Sequence, residues 1–125
     1  MLTMKFSKSP PELIRTFDSV MPGPPAQRRL MFGYPAGFVN SNMFTGLFGD
    51  RMHVRLPENE RSDLIRLGGK PFEPMPGRPM RDYVEIPSSI LADRAALLAW
   101  VNKALSYTAS LPAKKSKKRS SSKGR

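Results

Sequence analysis

The sequence lacks cysteine altogether and contains a single histidine, His53. Without cysteine there are no disulfides, thiolate metal sites or cysteine nucleophiles, and one histidine does not make a typical zinc ligand set. A Walker-type phosphate loop and the G-x-G-x-x-G fingerprint of dinucleotide-binding domains are also missing. We therefore expect a protein that is not an enzyme, with no catalytic residues, no cofactor, no metal and no small-molecule ligand.

Long apolar runs are missing as well. No stretch approaches the roughly 18 apolar residues that cross a membrane, and the first ten residues contain no apolar segment of signal-peptide length. We expect a cytoplasmic protein without a membrane partner. A length of 125 residues suits one domain with a core of its own.

Acidic residues are absent from positions 112–125, although the chain contains 10 of them. The net charge is +11, and seven cations lie at or after position 114, which leaves only +4 for the rest. These tail cations are Lys114, Lys115, Lys117, Lys118, Arg119, Lys123 and Arg125. Because residues 114–125 contain only Lys, Arg, Ser and Gly, they cannot bury apolar surface. The sequence therefore predicts an ordered domain over residues 1–110 and a disordered basic tail over residues 111–125.

The basic tail has two interpretations. Clustered cations attract polyanions, and each neutralised phosphate releases counterions, so the tail favours salt-dependent and sequence-nonspecific binding to nucleic acid. The alternative is a tail that only solubilises the protein. We favour nucleic-acid contact slightly, with Arg28, Arg29 and Arg78 of the domain as weaker candidates.

Hydrophobic periodicity predicts an alternation of helices and strands. Expected helices cover 11–21, 57–67 and 94–107, with Ser9 and Asp93 as N-caps of the first and last. Expected strands cover 29–33, 36–40, 43–48 and 51–56, followed by edge strands at 71–75 and 80–86. Ser41-Asn42 and Gly49-Asp50 look like hairpin turns. The order α-β(3–4)-α-β(2)-α predicts a two-layer α+β fold, in which three helices pack on an antiparallel meander with edge strands.

Within the 51–56 strand, Met52, Val54 and Leu56 alternate with His53 and Arg55. Such alternation is typical of a strand with one buried and one solvated face, so we interpret His53 as a surface residue. Asp82 lies on the apolar side of the 80–86 strand, where pairing with an arginine is expected. An enzyme built on Asp82 or His53 is the least favoured hypothesis.

Five aromatic residues fall within the strands and their connections, namely Phe32, Tyr34, Phe38, Phe44 and Phe48, with arginines around them. An aromatic sheet face with basic neighbours can stack single-stranded bases. It can equally form the core under the helices, which we favour because every sheet needs an apolar face. The methionines of the predicted strands also have two interpretations: they can line an adaptable binding groove or fill gaps in the core. We favour the second for Met31, Met43, Met52 and Met80.

Several short motifs follow one another along the chain. They are the Arg-Leu-Met-Phe-Gly start of residues 29–44, the strand 51–56, the Pro-Met-Pro-Gly-Arg-Pro loop within 70–80, the Tyr-Val-Glu-Ile-Pro of 83–87 and the helix of 97–105. In this order and spacing they resemble the TfoX/Sxy N-terminal domain family. The resemblance covers about residues 12–108. It implies a two-layer arrangement on one antiparallel sheet and supplies no catalytic residues to carry over.

The resemblance also implies a role. The family is named after regulators of natural competence for DNA uptake, which usually carry a second, helical domain, whereas this sequence continues after Ser110 into the basic tail. We expect a regulatory or interaction domain, concerned with transcription regulation and DNA binding, whose tail associates nonspecifically with nucleic acid. The alternative is a homodimeric protein–protein interaction module whose tail is only a solubiliser.

Overall fold

The computed structural model describes residues 8–112, which form four helices and six strands. The helices are α1 (Pro11–Ser19), α2 (Glu58–Arg66), α3 (Ser88–Leu91) and α4 (Arg94–Ala109). The strands are β1 (Gln27–Met31), β2 (Tyr34–Val39), β3 (Asn42–Phe48), β4 (Arg51–Arg55), β5 (Lys70–Pro71) and β6 (Tyr83–Glu85). The basic tail cations lie outside the described residues.

All six strands belong to one antiparallel sheet in the order β1-β2-β3-β4-β6-β5. Strands β1 to β4 form a meander, as short connections between neighbours favour. The last two strands extend the sheet beyond β4, so that β1 and β5 are its edges. The predicted α+β fold and its element order are confirmed, while the short helix α3 was not predicted.

The meander turns lie where the chain adopts the left-handed conformation. Asn40 and Ser41 have φ of 53° and 66°, so this turn begins one residue earlier than predicted. Gly49 has φ of 62° in the predicted Gly49-Asp50 turn. The β1–β2 turn, at Phe32 and Gly33, was not predicted, because a phenylalanine rarely adopts positive φ. That turn places β1 two residues before its predicted start.

The main core lies between the first face of the sheet and the helices. Helix α4 packs against β2, β3 and β4, and Phe17 of α1 is completely buried in the same cluster. The cluster includes the alternate residues Met52 and Val54 of β4, together with Leu97 and Val101 of α4. Burial of this apolar surface is the main stabilising term of such a fold.

The two predicted caps have different outcomes. The Asp93 carboxylate accepts a hydrogen bond from the backbone N–H of Ala96 at 3.2 Å, which confirms it as the N-cap of α4. The Ser9 cap is wrong, because the hydroxyl of Ser9 donates to the carbonyl of Gly49 at 2.6 Å. Helix α1 instead begins with proline in its first turn, where a missing N–H is tolerated.

The second face of the sheet is also covered. A second apolar cluster is centred on Ala36, Met43, Phe72 and Tyr83. It forms because the segment 72–82, between β5 and β6, folds back over the sheet: the Phe72 N–H donates to the Tyr83 carbonyl, and the Met80 N–H donates to the Phe72 carbonyl. The prediction that one face of β4 is solvated is therefore wrong.

The proline-rich part of this segment is not a regular strand. The expected strand 71–75 is reduced to Lys70–Pro71, followed by an isolated bridge between Met75 and Arg78. The prolines supply no N–H for a ladder, so the backbone is free to loop over the sheet. Within residues 8–112, no helix combines the length and the apolar character needed to cross a membrane.

Candidate functional site

A cavity of about 320 Å³ lies between the second face of the sheet and the segment 72–82, which we call the covering segment. We call the cavity the sheet pocket. Its floor includes Ala36, Leu47 and Phe48, and Phe72 and Pro74 contribute from the covering segment. The walls are almost wholly apolar, and His53 is the one ionisable side chain that lines them. A concave apolar site of this size suits a small ligand or an inserted side chain.

Four methionines give the sheet pocket an adaptable wall, namely Met31, Met43, Met75 and Met80. Three of them were interpreted from the sequence as core filler. Only Met52 of that group lies in the main core, with no exposed surface. Methionine is unbranched and polarisable, so a wall of this kind can reshape around an aromatic group.

The rim of the sheet pocket is exposed. Phe32 and Met75 expose 70% and 51% of their surfaces, far more than core residues do. Phe32 also has φ of 57°, in the left-handed region that disfavours bulky side chains. A strained and exposed aromatic residue at the mouth of an apolar pocket is typical of a binding surface.

His53 is buried, so its interpretation as a surface residue is wrong. Only 3% of the residue is exposed. Its ring stacks on Phe72 with centroids 4.0 Å apart and planes 15° from parallel, and it meets the Tyr83 ring edge-on at 5.6 Å. A β-carbon at position 46 would lie 3.0 Å from His53 Nε2, so Gly46 leaves room for the imidazole. The alternation within β4 could not reveal the covering segment.

The imidazole of His53 has no hydrogen-bond partner at either ring nitrogen among the described residues, and both nitrogens are shielded from water. Buried polar groups in proteins are nearly always paired. Burial lowers the pKa of His53 from its ordinary value of 6.5 to about 3, because the cation would lose its hydration. The ring is therefore neutral at physiological pH, with one donor and one acceptor unused.

Tyr83 connects two strands of the second face through its hydroxyl group. Its hydroxyl donates a 2.8 Å hydrogen bond to the carbonyl of Met43, reaching from β6 across β4 to β3. Burial raises the pKa of Tyr83, and the nearby positive charge of Arg55 opposes that rise. A satisfied phenol at this position supports the floor of the sheet pocket beside His53.

Asp82 pairs with arginine, as the sequence predicted. Its carboxylate lies 3.0 Å from Arg55 and 3.6 Å from Arg61. On the neighbouring strands, Arg51 lies 3.0 Å from the carboxylate of Glu85. These ion pairs neutralise the charges of Asp82 and Glu85, and among the described residues no Lys, Arg, Asp or Glu side chain lines the sheet pocket.

The three candidate arginines of the domain do not form one basic surface. Arg28 turns to the helix side, where its Nε lies 2.7 Å from Asp18 of α1. Arg29, the next residue of β1, points the other way, and its guanidinium lies 5.4 Å from the centre of the Phe38 ring. Arg78 lies in the turn of the covering segment, where its N–H donates to the Met75 carbonyl. Neighbouring residues of a strand face opposite ways, which separates Arg28 from Arg29.

The aromatic residues are also divided between the faces. Phe44 is fully buried in the main core, as the preferred interpretation expected. Phe38 packs against the second cluster instead, and Phe48 packs against both clusters. Between Gly37 and Phe38 the register of β2 against β3 shifts. A β-carbon on Gly37 would meet Met21 at 2.8 Å, so the glycine here permits close packing.

No group of three or more His, Cys, Asp or Glu residues able to hold a metal is present between residues 8 and 112. The fold and its pocket together define an α+β domain on a single antiparallel sheet, with helices on one face and an apolar pocket on the other. The chain belongs to the TfoX N-terminal domain family, which matches residues 18–108. A comparison with curated proteins gives no match.

Proposed function

We propose that this protein is a non-enzymatic regulatory and interaction domain, which associates nonspecifically with nucleic acid through its basic tail in the cytoplasm. The observation that carries the proposal is the separation of charge along the chain. Seven cations without an acid follow position 112, while the remainder of the chain is only mildly basic. Such a cluster binds phosphates by releasing counterions and does not read base sequence.

The non-enzymatic part of the proposal draws on His53 and Asp82. A histidine with a pKa of about 3 does not exchange protons near neutral pH, where general acid–base catalysis needs a matched pKa. Asp82 is held between two arginines. These contacts favour a structural role for both residues.

The arginines of the domain are expected to contribute unequally. Arg28 already pairs with Asp18, so a phosphate would have to compete with that carboxylate. Arg29 and Arg78 have no carboxylate partner among residues 8–112, which makes them the better secondary contacts for a polyanion. Their different positions favour loose electrostatic contact over a defined groove.

The test is a fluorescence-anisotropy titration of a labelled random DNA duplex with the full chain and with a chain that ends at Leu111. Salt is varied between about 50 and 200 mM. Full engagement of the seven cations predicts a slope of log K against log salt of up to about −6, and the truncated chain is expected to bind far more weakly. Equal binding by both chains would contradict the tail proposal.

A scrambled tail with the same composition is the matched control. Because the contact is electrostatic and not sequence-specific, the scrambled chain is expected to bind like the natural one. Replacing the seven cations by glutamine is expected to remove binding while the length is kept. Loss of binding on scrambling would show that the order of residues matters, against the proposal.

A homodimer is the second candidate function, and the edge strand β1 favours it. The strand contains no proline, lies at the end of the sheet, and carries Leu30 with 65% of its surface exposed. Unpaired edges of this kind can add a strand from a second copy. Sedimentation of the wild type and of Leu30→Lys tests this function. A wild-type dimer that is unaffected by nucleic acid, and that dissociates in the variant, would favour it.

A further inference from the structure

The sheet pocket contains a feature that a packed core does not explain. It is a cavity of about 320 Å³ with nearly uniform apolar walls, and its lining residue His53 has two ring nitrogens that are shielded from water and unpaired among the described residues. Native proteins rarely leave a buried donor and acceptor unpaired, since each unpaired group costs about 1–3 kcal/mol. An apolar group alone would fill the cavity, but it would leave the imidazole unsatisfied.

We propose that the sheet pocket binds a small, uncharged aromatic molecule whose hydroxyl or N–H group hydrogen-bonds to a ring nitrogen of His53. This proposal is independent of the nucleic-acid association proposed above, and it replaces the expectation from the sequence that the protein binds no small molecule.

We infer that the ligand is uncharged from the apolar walls of the sheet pocket. Transfer of an ion into an apolar cavity is strongly unfavourable unless the cavity contains an opposite charge. Among the described residues, no Lys, Arg, Asp or Glu side chain lines the sheet pocket. A neutral ligand therefore fits this cavity, and a carboxylate or an ammonium group does not.

We infer that the ligand is aromatic from the rings and methionine sulfur atoms that line the sheet pocket. His53 already stacks on Phe72, and the Phe48 ring meets Phe72 edge-on with centroids 5.8 Å apart. A further ring extends this aromatic cluster with the offset or edge-on geometry that such rings prefer. The methionine wall adds sulfur–aromatic contacts.

Both imidazole nitrogens of His53 are shielded from water, so a ligand reaches them only by displacing side chains. Methionine has three flexible torsions, and Met75 is half exposed at the rim. The neutral imidazole supplies both a donor and an acceptor, so a hydroxyl pairs with either of its tautomers.

Phenol and toluene are the probes, because they have nearly the same shape and differ by a hydroxyl in place of a methyl group. Binding is followed at pH 7 with the full chain, using the NMR signals of ¹³C-labelled methionine methyl groups assigned by single Met→Leu substitutions. Saturable shifts are expected at Met31, Met43, Met75 and Met80. Met52, buried in the main core on the other face, is the internal control and is expected not to move.

His53→Phe tests the hydrogen bond, since it keeps a ring that stacks on Phe72. Phenol affinity is expected to fall about 3- to 10-fold, the loss of one hydrogen bond, while toluene affinity stays within twofold. Benzoate, the charged analogue, is expected not to bind. Ala36→Leu, which fills the floor of the sheet pocket, is expected to abolish binding of both probes. If this variant does not fold, Met75→Trp at the exposed rim is used in its place, with the same expected result.

Three outcomes would overturn the proposal. The first is the absence of saturable shifts, or shifts at Met52 equal to those at the pocket. The second is an equal loss of phenol and toluene in His53→Phe, which would make the imidazole a packing group only. The third is movement of the pocket signals with protein concentration in the absence of probe, which would identify the occupant as a second copy of the chain.

Discussion

Lowering the pH from 7 to 5 is expected to destabilise the domain through His53. The unfolded chain binds a proton at His53 with a pKa of 6.5, whereas the folded state holds this pKa at about 3. Between these values the unfolded state binds more protons. Stability is therefore greatest above pH 6.5 and is lost as the pH falls towards 3.

The magnitude follows from these two pKa values. Protonation of the unfolded state alone lowers the free energy of unfolding by about 2 kcal/mol between pH 7 and pH 5. His53 is the only histidine of the chain, and ordinary carboxylates titrate near pH 4, so little else changes in this interval. Among the groups beside it, Glu85 is its cross-strand neighbour and pairs with Arg51, while Arg55 and Tyr83 lie along the same face.

Urea unfolding at pH 5, 6 and 7 measures this effect, with the fluorescence of the single Trp100 as the signal. The wild type is expected to lose about 2 kcal/mol, and His53→Phe is expected to show no loss over the same interval. The variant is also expected to be more stable at pH 7, because it removes two unpaired buried nitrogens. Equal wild-type stability at pH 5 and pH 7 would show that the imidazole is hydrated or paired, and would refute the reasoning.

Three further predictions concern stability at pH 7, measured by urea unfolding. Tyr83→Phe removes the buried hydrogen bond to the Met43 carbonyl and is expected to cost about 1–2 kcal/mol, and no loss would mean that water replaces the phenol. Leu97→Ala opens a cavity in the main core and is expected to cost about 2–5 kcal/mol, against less than about 1 kcal/mol for the exposed control Leu67→Ala. Phe32→Asn relieves a left-handed backbone and is expected to gain about 1 kcal/mol, whereas a loss would show that the ring stabilises the free protein.

The fold of this domain could be read largely from local patterns. The Asp93 cap marks the start of α4, and the alternation of Met52 and Val54 identifies β4, because both signals depend on residues a few positions apart. The Gly49-Asp50 turn was found for the same reason. The turn at Phe32 was missed, since its phenylalanine contradicts the residue preference of a left-handed position.

The candidate site depends on contacts between residues distant in the sequence. His53 and Arg55 occupy the polar positions of β4, and only the return of residues 72–82 over the sheet buries the imidazole under Phe72. The same return brings Met75 and Met80 opposite Met43 and forms the sheet pocket. No short window contains both sides of this cavity.

The sequence by itself determined the α+β class, the order of the elements and the concentration of positive charge after position 112. Those properties follow from composition and from periods of 2 and 3.6 residues, which are local. The tertiary structure alone decided that both faces of the sheet are covered and that His53 is neutral. Burial and pKa depend on which distant segments exclude water, and periodicity carries no information about that.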